Sequence, residues 1–159
     1  MTAKYRLAAS AEMLFQELEF NERVKHIAAR GFEVEIWNWT TKSLSELAAT
    51  GATFSSMTGY IEGDLLEAEG IEKLLSTARQ SLEASLIIDC PRLNVHGTGL
   101  DSNGQAIKQK SSTTPAEFAT AVSTLTRLAE LGAEYGKVFT LENLNLFVDH
   151  PGTPFALAS

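Results

Sequence analysis

Short β-rich runs alternate along the chain with longer stretches in which apolar residues recur at helical spacing. Residues 5–10 form the first β-rich run, and the loop behind it carries Met13, Leu14 and Phe15. Asn21, a favourable N-cap type, predicts a first helix with Val24, Ile27 and Ala28 on one face and a stop at Gly31. Residues 32–39, FEVEIWNW, are the clearest strand pattern. A short helix over 43–49 and a third strand over 53–57 follow, with Gly51 between them. The longest stripe, Ile71, Leu74, Leu75, Ala78, Leu82 and Leu86, has spacings of three and four except for one adjacent pair and predicts a single long helix. Cys90-Pro91 ends that unit, because proline disfavours helix in the residue before it, and 93–96 reads as the fourth strand. Residues 97–113 form a polar loop with glycines at 97, 99 and 104, long enough to predict a functional role. Thr114-Pro115-Ala116-Glu117 is a capping box with proline at the first helical position. Its helix is expected to bury Phe118, Val122, Leu125 and Ala129 and to end near Gly136, before a fifth strand over 138–143.

Strands separated by helices in this way predict βαβ units, a parallel sheet and the α/β class. No GxGxxG follows the first strand and no GxxxxGK[ST] occurs, so the loops that cradle phosphates in open nucleotide-binding sheets are missing. A barrel is favoured by that absence. The expectation is a (β/α)8 TIM barrel with about the first five of its β/α units present, residues 1–159 forming one domain.

A strand in a parallel sheet is covered on both faces, so a polar side chain on it costs free energy unless it is paired or functional. Alternate positions sort the polar groups. In the second strand Phe32, Val34 and Ile36 are expected to face the helices, leaving Glu33, Glu35 and Trp37 inward. In the fourth, Leu93 and Val95 face outward and Asn94 and His96 inward; in the fifth, Phe139 and Leu141 face outward and Thr140 and Glu142 inward. Glu35, His96 and Glu142 therefore converge, each late in its strand, where β/α barrels place their chemistry. A buried hydrogen-bonded network is the competing reading for these groups, and for Glu35, close to Trp37, it is the favoured one.

Composition narrows the function classes. Thirteen Lys and Arg against twenty Asp and Glu leave a formal charge of −7, with no basic footprint for nucleic acid or an anionic membrane. No segment approaches the roughly 20 apolar residues of a membrane span, and the start of the chain is too short in apolar residues for a secretory leader. The lone Cys90 has no disulfide partner and reads as a small buried hydrophobe, which fits a reducing, cytoplasmic setting. No GxSxG supports a serine hydrolase. The stretch from Asp101 to Gly104 resembles the start of a calcium loop but has Ser112 where the closing glutamate belongs, so it reads as a turn. His26 is placed on the polar side of the first helix. Trp37, Trp39 and Phe15 are candidate pocket walls, with packing the commoner role for such aromatics.

The segments LAASAEMLF, GFEVEIW, CPRLNVHGTGLD, LENLN and VDHPGTP, in this order over essentially the whole chain, resemble hydroxypyruvate isomerases and related sugar isomerases and epimerases of the xylose-isomerase-like TIM-barrel superfamily. The resemblance implies an isomerisation or epimerisation of a small hydroxycarbonyl compound that depends on a divalent metal, Mg²⁺ or Mn²⁺. It implies that Glu142 is a metal ligand and one of two proton-moving carboxylates, and that His96 binds or polarises the substrate. Asn145 and His150 match the loop around the substrate, and Phe15 matches a pocket-lining position. The remaining ligands of such sites, an aspartate, a histidine and a second glutamate, come from the sixth to eighth strands. The chemistry fits independently: moving hydrogen between adjacent carbons needs a base at the C–H bond and stabilisation of the enediolate oxygen.

Two other readings stand beside the isomerase. One is a phosphodiesterase of the apurinic-endonuclease branch of the same fold, which the charge and the presence of only His26, His96 and His150 disfavour. The other is a catalytically silent half-barrel that needs a complementary chain; a homo-oligomer is left open. Five β/α units against the eight of a closed barrel make the chain look truncated, with open first and fifth strands and a site that this chain alone is not expected to complete.

Overall fold

The computed structural model describes residues 5–101, 103–110 and 112–157. Residues 1–4 of the stretch tested as a leader, Ser102 of the Asp101 turn, Ser111 of the glycine-containing loop and residues 158–159 lie outside the described residues.

The β-rich runs become the strands β1 (Ala8–Ser10), β2 (Glu33–Ile36), β3 (Phe54–Thr58), β4 (Arg92–Val95) and β5 (Val138–Leu141), and the helical patterns become α1 (Phe20–Ala29), α2 (Leu44–Ala49), α3 (Ala68–Ile87) and α4 (Pro115–Glu134). All strand pairings are parallel and the sheet order is β1-β2-β3-β4-β5, so each β/α unit adds its strand beside the previous one. This is the strand succession of a β/α barrel, in which successive strands are neighbours. Among the described residues, β1 and β5 each have one unpaired edge.

Alternation sorts the strands as expected. Val34, Ile36, Leu93 and Val95 are fully buried and join Val24 and Ile27 of α1, Leu47 of α2, Leu74, Ala78 and Leu82 of α3 and Leu128 of α4 in one core. Burying each such side chain contributes on the order of 1.5–3 kcal/mol. The other face of the sheet carries a row of polar pairs: Ser56 donates to Glu35 (3.0 Å), Thr140 to Asn94, and His96 meets Glu142. In β3 the alternation breaks, because the register with β2 shifts between Val34 and Glu35. The extra residue, Ser55, donates its hydroxyl to the Val34 carbonyl (3.2 Å), while its own carbonyl accepts Nη1 of Arg92 (2.9 Å).

Several expectations need correction. The second strand is shorter than 32–39: the chain leaves the sheet after Ile36 and Trp39 opens a 3₁₀ turn, Trp39–Thr41. Trp39 is a packing residue, its indole N–H donating to Ser81 of α3 (3.0 Å). The first helix begins two residues earlier than an Asn21 cap requires, with Glu19 as N-cap. Leu86 leaves the buried stripe and is 55% exposed. Ser81 and Ser85 take the inward positions instead, returning their hydroxyls to the carbonyls of Thr77 and Leu82, which removes the cost of burying them.

The largest correction concerns α4. Phe118, Val122 and Ala129 point outward, and the buried residues are Ala121, Thr124, Leu128, Leu131 and Gly132. The helix is apolar on two sides, and Gly132 decides between them. A Cβ there would lie 2.9 Å from the Lys137 carbonyl and 3.2 Å from the Phe139 ring, so the helix backs directly onto β5 along the face that contains Gly132. Capping is as expected: Thr114 accepts the Glu117 N–H (3.2 Å) and Glu117 accepts the Thr114 N–H (2.8 Å), with proline at the helix start.

Candidate active site

Parallel strands end together, and the ends of β4 and β5 bring His96 and Glu142 side by side. Glu142 follows the last residue of β5 and still extends the ladder, its N–H donating to the Val95 carbonyl (2.9 Å). Its carboxylate lies 3.3 Å from Nε2 of His96, with the histidine side chain 17% and the glutamate side chain 44% exposed. The contact with His96 holds the Glu142 carboxyl below the usual carboxylate range; burial opposes the effect and the positive potential of His150 adds to it. Glu142 is thus an ionised, partly solvent-facing base at the carboxyl end of the sheet.

Tyr60 completes the cluster. It is 4% exposed, packs edge-on against His96 with ring centroids 5.9 Å apart, and places its hydroxyl 3.3 Å from Nδ1 of His96 and 2.7 Å from the Thr98 carbonyl. Burial pushes its hydroxyl far above the usual phenol range, so it stays protonated. Sorting polar residues by alternation missed Tyr60, since the β3 bulge breaks the period and the residue lies two positions beyond the strand. The available signal was the glycine before it. A side chain at Gly59 would meet the Asn94 carbonyl and the Leu93 Cβ, both at 2.9 Å, so the end of β3 lies tight against β4 and delivers Tyr60 to His96.

Two loops cover the β4 and β5 ends and are bonded to each other. His150 Nδ1 lies 2.6 Å from the Gly104 carbonyl, Gln105 Nε2 donates to the Asp149 carbonyl (2.8 Å), and the Lys110 N–H donates to the Gly152 carbonyl (2.7 Å). A carbonyl only accepts, so Nδ1 of His150 carries the proton. The 97–113 loop is further anchored by Lys108, which bridges Asp64 (2.9 Å) and Glu67 (2.7 Å), and by Lys110 on Glu117. Asp101 accepts the N–H groups of Asn103 and Gln105, so this stretch is a turn.

The other expected residues lie apart from the His96–Glu142 pair. Asn145 shapes its own loop, its carbonyl oxygen accepting the N–H groups of Phe147 (3.0 Å) and Val148 (3.2 Å). Phe15 packs on α1, with its ring 5.6 Å from that of His26 and 4.8 Å under the Arg30 guanidinium; His26 is accordingly half-buried rather than free on the polar side. Glu35 is held by Trp37 Nε1 (3.0 Å) and Ser56 (3.0 Å). Cys90 is fully buried, its thiol pushed up to about 11 by desolvation. Among the described residues no group of three or more His, Cys, Asp or Glu side chains is placed to hold a metal ion. Glu142 and His96 supply two donors, short of the four to six that a divalent cation takes. No helix among the described residues is long and apolar enough to cross a membrane.

The architecture is that of part of a TIM barrel, five parallel strands alternating with helices. No family model and no curated protein sequence matches the chain. Solved structures do. A family 2 AP endonuclease from Brucella melitensis superposes with a TM-score of 0.74 at 21% identity, over 93% of this chain and 58% of that one. The E. coli 3-keto-D-glucoside 4-epimerase YcjR gives 0.65 at 20% identity, over 89% and 57%. A D-psicose 3-epimerase from Clostridium cellulolyticum H10, solved with D-tagatose, gives 0.69 at 17% identity, over 90% and 54%. The chain thus spans a little over half the length of these proteins, and the likeness is one of fold.

Proposed function

We propose that the chain carries the proton-transfer part of an isomerase or epimerase site that acts on a small hydroxycarbonyl or sugar substrate. The observation that carries this reading is the ionised Glu142 carboxylate beside His96 at the carboxyl ends of adjacent strands. Two of the structural neighbours, the 3-keto-D-glucoside 4-epimerase and the D-psicose 3-epimerase, are enzymes of that kind and support it. In the reaction Glu142 removes the proton from the carbon next to the substrate carbonyl, and the C–H electron pair moves into the enediolate. Returning the proton to the neighbouring carbon, while the hydroxyl proton passes to the former carbonyl oxygen, isomerises the substrate; epimerisation would need the second carboxylate implied by the resemblance to protonate the opposite face of the same carbon. His96 hydrogen-bonds a substrate oxygen as charge develops there. His150 and the paired loops close over this end of the sheet, with Asn145 as the brace of the second loop.

Hydroxypyruvate, interconverted with tartronate semialdehyde, is the substrate we favour within this class, on the resemblance of CPRLNVHGTGLD, LENLN and VDHPGTP. A divalent cation, Mg²⁺ or Mn²⁺, enters this proposal through Glu142 alone. His96 is the other donor within reach, so the described residues do not make a complete cation site and no step is assigned to one. A cytoplasmic setting belongs to the same proposal. The phosphodiesterase reading, which the fold likeness to the family 2 AP endonuclease leaves beside it, is the weaker one because a net charge of −7 disfavours a phosphate-backbone partner.

The test is conversion of hydroxypyruvate and a panel of ketoses in the presence of Mn²⁺, by this chain and by any longer native form, with Glu142→Gln as the variant. Turnover that falls about 100-fold or more in the variant, with the fold retained, is expected. No conversion by either form, or near-normal turnover by Glu142→Gln, overturns the reading.

A further inference from the structure

We propose that Trp37 is a substrate-binding residue of this site, its open indole face taking the C–H side of the part of a sugar substrate that lies beyond the reacting carbons. The inference deepens the isomerase reading and rests on it for the class of ligand; the placement of the ring does not depend on it. Of the three aromatic residues expected as pocket walls, Trp39 packs on α3 and Phe15 on α1. Trp37 is placed differently. It follows the last residue of β2 as Glu142 follows the last residue of β5. Its indole N–H donates to Glu35 (3.0 Å), which belongs to the polar row on the inward face of the sheet. The ring therefore stands at the same end of the sheet as Glu142, on the face that carries it.

Two anchors fix the ring. Glu12 accepts the Trp37 backbone N–H (3.1 Å) and is itself held by Lys42 (2.8 Å), whose ammonium also donates to the Asn38 carbonyl (2.6 Å) and lies 4.6 Å from the centre of the Phe20 ring. At the other end, one carboxylate oxygen of Glu35 accepts the indole N–H and the other accepts the Ser56 hydroxyl (3.0 Å). With its one side-chain donor turned onto Glu35, the indole presents only carbon to its surroundings, and yet Trp37 is 48% exposed. A large aromatic surface held rigid in water gains by being covered, and little ordering remains to be done when a ligand arrives. A sugar suits it, because the C–H groups along one side of the carbon chain form an apolar strip whose hydrogens meet the negative ring face. β2 and β5 are three strand spacings apart, about 14 Å along the sheet, which leaves room for a carbon chain between carboxylate and indole. Substrates differ in how much they offer the ring. Hydroxypyruvate bears carbon-bound hydrogen only on the carbon that reacts, whereas a five- or six-carbon ketose has several further C–H carbons to lay against Trp37.

The experiment combines tryptophan fluorescence with steady-state kinetics, using D-xylulose, D-fructose and hydroxypyruvate as probes. It compares wild type, Trp37→Ala and Trp37→Phe, in this chain and in any longer native form, with circular dichroism to confirm folding. Ketoses are expected to give a saturable emission change in the wild type that is lost in Trp37→Ala, where Trp39 is the remaining tryptophan. The ratio of kcat/KM for ketose to that for hydroxypyruvate should fall about tenfold in Trp37→Ala, through KM, and recover in part in Trp37→Phe, which keeps an aromatic face. A merely structural role would lower both activities together and leave the ratio where it was. An unchanged ratio in folded Trp37→Ala overturns the proposal, and so does a wild type that turns over hydroxypyruvate but neither binds nor converts a ketose. If Trp37→Ala fails to fold, Trp37→Phe and the wild-type emission decide. Saturable, Trp37-dependent ketose binding in a chain without turnover removes the isomerase reading and leaves Trp37 as a sugar-binding residue.

Discussion

Gly97 lies where the two site loops are packed backbone to backbone. Any Cβ there would drive into the Pro154 carbonyl, which is backbone and cannot swing away. Gly97→Ala is therefore expected to lower stability by about 1–3 kcal/mol, read as a drop in the denaturant midpoint at unchanged slope, and to displace the loop that carries His150. Charged residues in the same region set the acid limit. Burial works against Asp64, but the N–H groups of Glu67 and Leu66 and the Lys108 ammonium together hold its carboxyl below the usual value, and Lys108 is raised in turn. Lys110 and both capping donors of Thr114 bring Glu117 down to about 2. A carboxylate whose pKa is lower folded than unfolded stabilises the fold above its unfolded pKa, and that contribution disappears as pH falls through the folded value. The melting temperature should accordingly fall as pH is taken from about 5 towards 2, and Glu117→Gln should flatten the lower part of that curve. A melting temperature independent of pH over that range would show that the lysine contacts do not form in solution.

At the scale of elements, α4 is the sharpest test. If the face containing Gly132 packs on β5, Leu128→Ala opens a hole in the core and costs about 2–5 kcal/mol. Phe118→Ala, at a side chain 59% exposed, should cost much less despite the larger side chain, and urea unfolding of the two variants gives the order directly. Thr114→Ala removes one half of the capping box and is expected to cost about 1 kcal/mol. The same helix shows why some of the fold was legible in the sequence and some was not. Glycine and proline boundaries and the period-two runs of β2, β4 and β5 placed every strand and put Val34, Ile36, Leu93 and Val95 on the helix side. Those signals are local. The choice between two apolar sides of α4 depends on how closely it approaches β5, which only the three-dimensional contact at Gly132 reveals. The site divides in the same way. His96 and Glu142 followed from alternation on adjacent strands. Tyr60 did not, because a bulge lies between it and the periodic part of β3. Phe15 and Asn145 entered through resemblance and are placed by contacts with their own loops and helix.

At the scale of the whole molecule, the decisive feature is the sheet's two unpaired edges. Among the described residues, backbone N–H and C=O groups along β1 and β5 have no ladder partners on one side, and such edges pair readily with other strands unless charge or a covering element prevents it. Here apolar side chains flank them. Beside β1, Leu7 is 62% and Met13 63% exposed; on and beside β5, Val138 is 59%, Leu141 38%, Phe147 90% and Val148 73% exposed. Removing these groups from water contributes about 25 cal/mol per Å², and the four residues of β5 itself, Val138–Leu141, carry no charged side chain. The −7 charge works against association in general, but it is spread over the chain and is screened within about 8–10 Å at ordinary salt. Short-range edge pairing should win, so the 159-residue chain is expected to self-associate with rising concentration, more strongly at high salt. Val138→Lys with Leu141→Lys puts charge on the exposed edge without touching the buried core residues, and should shift light-scattering and sedimentation profiles towards monomer while far-UV circular dichroism is unchanged. Glu142 makes its ladder bond to Val95 on the β4-facing edge of that strand, not the open one, and lies four residues beyond Val138, so the same double variant should leave the His96–Glu142 pair intact. Association that is undiminished by the two lysines would place the contact elsewhere, on the outward face of α4 where Phe118 and Val122 stand exposed.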